Sequence, residues 1–289
     1  MTAGDDRSRE AKQREQGEQA RHWPHPVYAN TDLLHARYVT HSFGRHRHQQ
    51  YVFAVVTDGA EDFDYRGTRH HAVPGTIALV DADAVHTGQP GAPGGWRYEV
   101  LYVDPDLVHE IAGGRRPTFP QGVTHDPQAA AALLRAHAAT LSGDRLAAST
   151  ATRAALELAV GRYGRPPRTV ELRPDPGARP VRECVELLHE RLVDPPSVDE
   201  LAELADCSPF ALTRAFRRHV GLPPHAYLTQ VRVERARALL SAGGDVATTA
   251  VEVGFADQAH LTRHFRRHVG VPPARFARER RRRIVQEIA

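Results

Sequence analysis

Cysteine and lysine are nearly missing from this chain. It carries only two cysteines, Cys184 and Cys207. So few exclude a disulfide framework, and no CxxC pair offers a metal-binding spacing. Both are expected to be small buried thiols in a reducing compartment. Lysine occurs once, as Lys12, so nearly all of the 38 Lys+Arg residues are arginine. Guanidinium groups suit forked contacts with phosphate and guanine, although arginine wealth also follows from GC-rich coding. Long apolar runs are absent as well. None approaches the roughly 20 residues of a membrane span, and MTAGDDRSREAKQREQGEQ at the start lacks the apolar stretch of a secretion signal. The expectation is a cytoplasmic protein with no membrane partner, whose residues 1–22 form a polar, disordered tail.

What is present is the composition of a soluble globular chain, 41% hydrophobic and 25% charged over 289 residues, enough for about two domains. From about His25 to Val103 the pattern is short, alternating and broken by glycine, as in EDFDYRGTRHHAVPGTIALV. That spacing predicts closely set strands in a β-sandwich or barrel over 23–120. DPQAAAALLRAHAATL and DRLAASTATRAALELAVGRY, separated by Ser142-Gly143, predict two helices folded back on each other over 125–164. This pair is a candidate dimerisation element of a homodimer, or simply packs on the strands. GRPPRTVELRPDPGARP, dense in proline and glycine, predicts a linker over 165–180.

The remainder is helical and contains a repeat. LTRAFRRHVG from Leu212 recurs as LTRHFRRHVG from Leu261, identical at all but one position. Ser208 and Asp257 are good N-caps, Pro209 suits a first helical position, and Gly221 and Gly270 followed by paired prolines stop each helix. Leu212, Ala215, Phe216 and His219 share one side of the first helix. Phe210, Thr213, Arg214 and Arg217 fall on the other at i, i+3, i+4, i+7. In the second copy Leu261 and Phe265 pack, while Ala259, Thr262, Arg263 and Arg266 form the outward stripe. Each copy follows a short amphipathic segment, VDELAELAD or VATTAVEVGF, completing a helix-turn-helix. One recognition helix reads only a few base pairs, and groove faces recur about every 34 Å along a duplex. Two units in one chain can therefore read two successive faces. HAYLTQVRVERARALLSAGG between them predicts a spacer helix of about 17 residues, spanning about 25 Å.

Residues 181–279 thus resemble the DNA-binding domain of the AraC/XylS family of transcription regulators. The resemblance is carried by SPFALTRAFRRHVGLPPHAYL, RVERARALL and VGFADQAHLTRHFRRHVGVPP. It implies double-stranded promoter or operator DNA as partner, with RNA polymerase as a further one for an activator. By positional carry-over, Phe210, Thr213 and Arg214, then Gln258, Ala259, Thr262 and Arg263, are the base-edge readers. Arg217, Arg218, Arg266 and Arg267 are phosphate contacts, which position rather than specify. Ala259 departs from the polar residue often found there, which implies weaker readout by the second unit. RERRRR, Arg278 to Arg283, leads into a basic tail over 280–289 that either grips phosphate or is a solvated end.

HSFGRHRHQQYVFAVVTDGAEDFDYRGTRHHAVPGTIALVDADAVHTG is similar to the small cupin-type barrel that serves as sensor in many members of that family. His46 and His48, on alternate residues of an extended segment, point the same way, and His86 can reach them across the barrel. Three readings stay open. One is a pocket for an organic effector lined by His46, His48, Gln50, His86 and Tyr102, with Tyr51 and Tyr98 as walls and Trp23 and Tyr28 as a closing arm. Another gives the histidines and aromatics structural roles. The third is a metal site of His46, His48 and His86, against which stands Gln50, where metal-binding cupins usually carry glutamate. The expected class is α+β: a small barrel plus a helical pair, then an all-α domain with two helix-turn-helix units. The expected function is a regulator that senses an effector of unknown identity, without catalysis or cofactor. The alternatives are a metal-dependent cupin enzyme with accessory helices, and a methyl acceptor of DNA repair. The latter needs clustered cysteines that the chain does not have.

Overall fold

The computed structural model describes residues 17–167 and 177–288, with side chains described as far as residue 281. The chain divides into two compact units, Met1–Pro167 and Arg168–Ala289. The first holds strands β1 (Gln19–Pro24), β2 (Asp32–Tyr38), β3 (Phe43–His46), β4 (Tyr51–Gly59), β5 (Glu61–Tyr65), β6 (Thr68–Ala72), β7 (Thr76–Val80), β8 (His86–Pro90), β9 (Trp96–Val103) and β10 (Val123–His125). They form a six-stranded sheet, β1-β2-β9-β4-β7-β10, and a four-stranded one, β3-β8-β5-β6. Paired strands run antiparallel throughout. The tight β5–β6 hairpin turns on Arg66 and Gly67, both with positive φ, the geometry whose twist matches the strands it joins.

The run YVFAVV at the head of β4 is apolar at every position because both of its faces are covered. Tyr51, Phe53 and Val55 join a core with Leu133 and Leu156 on the helices. Val52 and Ala54, of the other parity, line a cavity against the second sheet. The helices are α1 (Pro105–Ile111), α2 (Pro127–Ala139) and α3 (Arg145–Tyr163). Asp126 caps α2 by accepting from the Gln128 and Ala129 N–H groups, and Asp144 caps α3 at Ala147. Ala129, Ala136, Ala155 and Ala159 are fully buried. Their small side chains let the helices close on each other and on the large sheet.

The expected N-terminal tail and the expected linker both need correction. Residues 17–22 are not part of a disordered tail. Residues 19–24 pair with β2 from Gln19↔Arg37 to Pro24↔Asp32. The Glu18 carboxylate accepts from the backbone of Val39, Thr40 and His41, so backbone pairing, with Ala20 and Trp23 buried, orders this segment. Residues 1–16 lie outside the described residues, as do 168–176 of the expected linker. At its far end that linker yields to helix, since 178–180 open the next element.

The second unit is helical in its described residues: α4 (Ala178–Glu190), α5 (Val198–Leu204), α6 (Pro209–His219), α7 (Pro224–Ser241), α8 (Val246–Glu252), α9 (Gln258–Val269) and α10 (Pro273–Ile288). Helix α7 has 18 residues and buries Tyr227, Val231, Val233, Ala236 and Leu240. The expected basic tail from 280 is instead the continuation of α10. The Arg280 guanidinium lies 4.7 Å from the Phe276 ring centroid. Arg281 donates to the Gly243 and Gly244 carbonyls, and so satisfies acceptors just beyond the end of α7. Cys184 is buried as expected, but Cys207 is exposed, because it sits in the turn before α6.

Candidate functional site

Helices α5–α6 and α8–α9 form two helix-turn-helix units with matching local geometry. The turns each contain one left-handed residue, Asp206 (φ 48) and Gly254 (φ 88). Ser208 accepts from the Ala211 N–H and Asp257 from that of His260. Leu212 and Phe216 in α6, and Leu261 and Phe265 in α9, are fully buried. That anchors one side of each helix and turns the other to solvent. Phe210, 73% exposed, stands beside Arg214, whose guanidinium is 5.9 Å from its ring centroid. Thr213 and Thr262 each donate to the carbonyl one turn back, Pro209 and Gln258. Gly270, φ 80, ends α9 in the left-handed region that favours glycine.

Helix α7 ties the two units together. On one side the Tyr227 hydroxyl meets His189 Nε2 at 2.7 Å, and its ring packs at the edge of Phe216. In the middle, Arg232 donates from Nε to the Leu192 carbonyl at 2.9 Å, while its guanidinium lies 6.0 Å from the Phe255 centroid. A Cβ at Gly254 would come within 2.8 Å of the same guanidinium. Arg232 therefore touches the segment leading into the first unit and the turn of the second.

In the N-terminal unit the space between the sheets is a cavity that opens to solvent. His46 on β3, Glu61 on β5, His86 on β8 and Tyr98 and Tyr102 on β9 line it, with His48 just beyond β3. Phe43, Phe63, Val52, Val80 and Val100 supply apolar wall. The ligand nitrogens of His46, His48 and His86 lie within 4.8 Å of one another. Nδ1 of His46 is 2.8 Å from the Gly44 carbonyl and Nδ1 of His86 is 3.0 Å from that of Ala84. A carbonyl only accepts, so both Nδ1 atoms carry the proton and both Nε2 atoms carry a lone pair. Burial pushes His86 down to about 4, which keeps it neutral. Such a cluster can accept hydrogen bonds from a ligand or hold a metal ion on three nitrogens. Burial, and then the neighbouring Asp62, push Glu61 up to about 8.

Residues 28–160 match the profile described as the AraC-like ligand binding domain, and 201–279 match a helix-turn-helix domain. The chain belongs to the AraC-type transcription regulators. This AraC-type protein is 25% identical over 229 residues to the uncharacterized HTH-type transcriptional regulator YbfI of Bacillus subtilis strain 168, covering 77% of this chain and 82% of that one. It is 32% identical over 78 residues to the HTH-type transcriptional regulator MtrA of Neisseria gonorrhoeae, covering 25% and 26% of the two chains. The crystal structure of ToxT from Vibrio cholerae O395 superposes with a TM-score of 0.51 at 10% identity, covering 91% of this chain and 98% of that one. ToxT bound to (E)-4-(8-methylnaphthalen-1-yl)but-3-enoic acid superposes at 0.50 and also 10% identity, over the same shares. At such identity these two show the fold alone. The chain is therefore a DNA-binding transcription regulator with an N-terminal ligand-binding domain. The relatives are regulators, and the enzyme alternative finds no support among them.

In this AraC-type regulator Phe210, Arg214, Arg217, Arg218, Gln258, Ala259, Arg263, Arg266 and Arg267 are exposed, and Thr213 and Thr262 half-buried. His219, grouped by periodicity with the packed side, is exposed instead, at the last position of α6. His46, His48, His86, Tyr98 and Tyr102 come together in the cavity, but Gln50 does not line it. Strand β3 ends at His46 and β4 starts at Tyr51, so alternation does not carry through to Gln50. Its amide donates to the Asn30 carbonyl. Tyr51 faces the helical core and donates to the Pro117 carbonyl. Trp23 and Tyr28 form no closing arm over the cavity: they donate to Thr140 Oγ1 and the Ser149 carbonyl on the helical side. Two residues escaped the sequence reading. Glu61 has the parity of the inward Phe63 and Tyr65, and that signal could have found it. Arg232 had no signal, since its partners lie 40 and 23 positions away.

Proposed function

We propose that α6 and α9 enter successive major-groove segments of one duplex. Phe210, Thr213 and Arg214, and Gln258, Ala259, Thr262 and Arg263, read base edges, while Arg217, Arg218, Arg266 and Arg267 hold phosphates. The observation that carries this is the shared face: Arg214 and Arg263 stand in solvent beside half-buried Thr213 and Thr262 on the two helices, while Leu212/Phe216 and Leu261/Phe265 are buried beneath. The cavity of His46, His48, His86, Tyr98 and Tyr102 takes a small-molecule effector. The acid-bound ToxT structure supports a small-molecule ligand for this fold. Residues 23–120 with the pair at 125–164 act as the sensor, 165–180 as the linker and 181–279 as the DNA reader. The helical pair serves a homodimer. The protein acts in the cytoplasm without catalysis, its output being access of RNA polymerase to the promoter.

Selection of bound fragments from random duplex DNA, followed by hydroxyl-radical footprinting, tests the first claim. The expected result is two short elements about one helical turn apart, protected on one face of the duplex. A single element, unchanged by Arg263→Ala, would overturn it.

A further inference from the structure

Glu61 is 8% exposed, and its side chain lies on the cavity wall. Among the described residues no hydrogen bond or ion pair reaches its carboxyl, and the charged neighbour acting on it, Asp62, has the same sign. The space it occupies depends on Gly88 across the β5–β8 pairing: a Cβ there would lie 2.8 Å from Glu61 Oε1. A carboxyl buried without a partner is costly, and neighbours that leave room for it mark a position waiting for a ligand group.

The rest of the lining says which group. Neither arginine nor lysine lines the cavity. The inward nitrogens of His46 and His86 are lone pairs, because their Nδ1–H groups are spent on Gly44 and Ala84. The His46 lone pair accepts from His48 Nε2–H at 3.1 Å, which leaves the His86 lone pair and the Glu61 carboxyl as acceptors on the polar side of the cavity, beside the hydroxyls of Thr87, Tyr98 and Tyr102. A carboxylate ligand would find no cation and would face a second carboxyl. An ammonium would meet a carboxyl that ionises beside it, with aromatic faces to receive both its charge and its apolar body.

We propose that the cavity selects a small organic cation, an amine whose ammonium sits on Glu61 and whose apolar portion lies against Phe43, Phe63 and Tyr98, and that it rejects carboxylates. This rests on the reading of the cavity as the effector site. The three-histidine cluster does not include Glu61, so an ion held there would leave the carboxyl still unpaired.

The test uses the full-length protein, purified without chelator, and three probes of similar shape: phenethylamine, phenethyl alcohol and hydrocinnamate, titrated by calorimetry near neutral pH. Phenethylamine is expected to bind at least about tenfold tighter than hydrocinnamate, a gap of about 1.4 kcal/mol. Glu61→Gln is expected to abolish that preference while holding phenethyl alcohol within about twofold, and Gly88→Ala, which displaces the carboxyl, to weaken the amine alone. Hydrocinnamate binding as tightly as the amine, or an amine preference that survives Glu61→Gln, overturns the cation assignment and leaves the effector reading standing. Binding of none of the three to protein shown to be folded by circular dichroism overturns both. A stoichiometric transition metal whose removal abolishes amine binding overturns the assignment to Glu61.

Discussion

Arg214 and Arg217 lie one turn apart on α6, both exposed, yet they are assigned different work. Arg214→Ala should cost about 1–3 kcal/mol at the selected site and relax one base preference, whereas Arg217→Ala should weaken all DNA about equally and lower the salt slope by about one. Anisotropy titrations on specific and scrambled duplexes at several salt concentrations separate the two. In the cavity, Glu61 and His86 push stability in opposite directions. The Glu61 carboxyl ordinarily titrates near 4.5 and is held up to about 8 when folded. The folded state therefore keeps a proton that the unfolded state has lost, and stability falls as pH rises from 4.5 through 8. His86 is lowered from 6.5 to about 4, so its contribution is complete above 6.5 and is lost as pH falls toward 4. Thermal melts should show Glu61→Gln gaining on the parent protein from about pH 5 to about pH 9. A constant gap would mean that Glu61 is not the group responsible. Glu61 was legible in principle from its parity with Phe63 and Tyr65. Gln50 was misplaced because the sequence does not show where β3 stops.

Helix α7 was legible as a helix from its apolar residues and from the proline and glycines that bound it, and its 18 residues match the expected spacer closely. Its hold on both units was not legible. Arg232 is half-buried between the Leu192 carbonyl and the Phe255 ring, and nothing local announces either contact. Arg232→Met removes the hydrogen bond and keeps most of the bulk. It should leave each recognition helix folded but loosen their spacing. Wild-type protein should discriminate strongly against an operator with one base pair inserted between its elements, and the variant should discriminate less. Equal discrimination would show that apolar contacts of α7 alone set the distance. In the sensor, Phe53 is fully buried where β4 meets the helices. Phe53→Ala should cost about 3–5 kcal/mol by cavity formation, read as a lowered melting temperature of the first unit.

The division at Pro167 predicts two transitions in scanning calorimetry, one for each unit. A cavity ligand should raise only the transition that Phe53→Ala lowers, by about 2.7 kcal/mol at a hundredfold excess over its Kd. A single transition moved as a whole would show that the units unfold together. Allosteric output then requires an effector that favours one arrangement of the whole chain over another. What the sequence by itself determined was local and periodic. The doubled LTRxFRRHVG, its caps and its glycine stops specify two basic helices with one apolar side each, because helix formation depends on neighbours three and four residues apart. What only the tertiary structure decided was which distant groups meet: Glu61 beside Gly88, Arg232 between the two helix-turn-helix motifs, Trp23 and Tyr28 on the helical core and not over the cavity. Those meetings depend on strand pairing and chain reversal, where a shift of one residue moves a side chain to the opposite face.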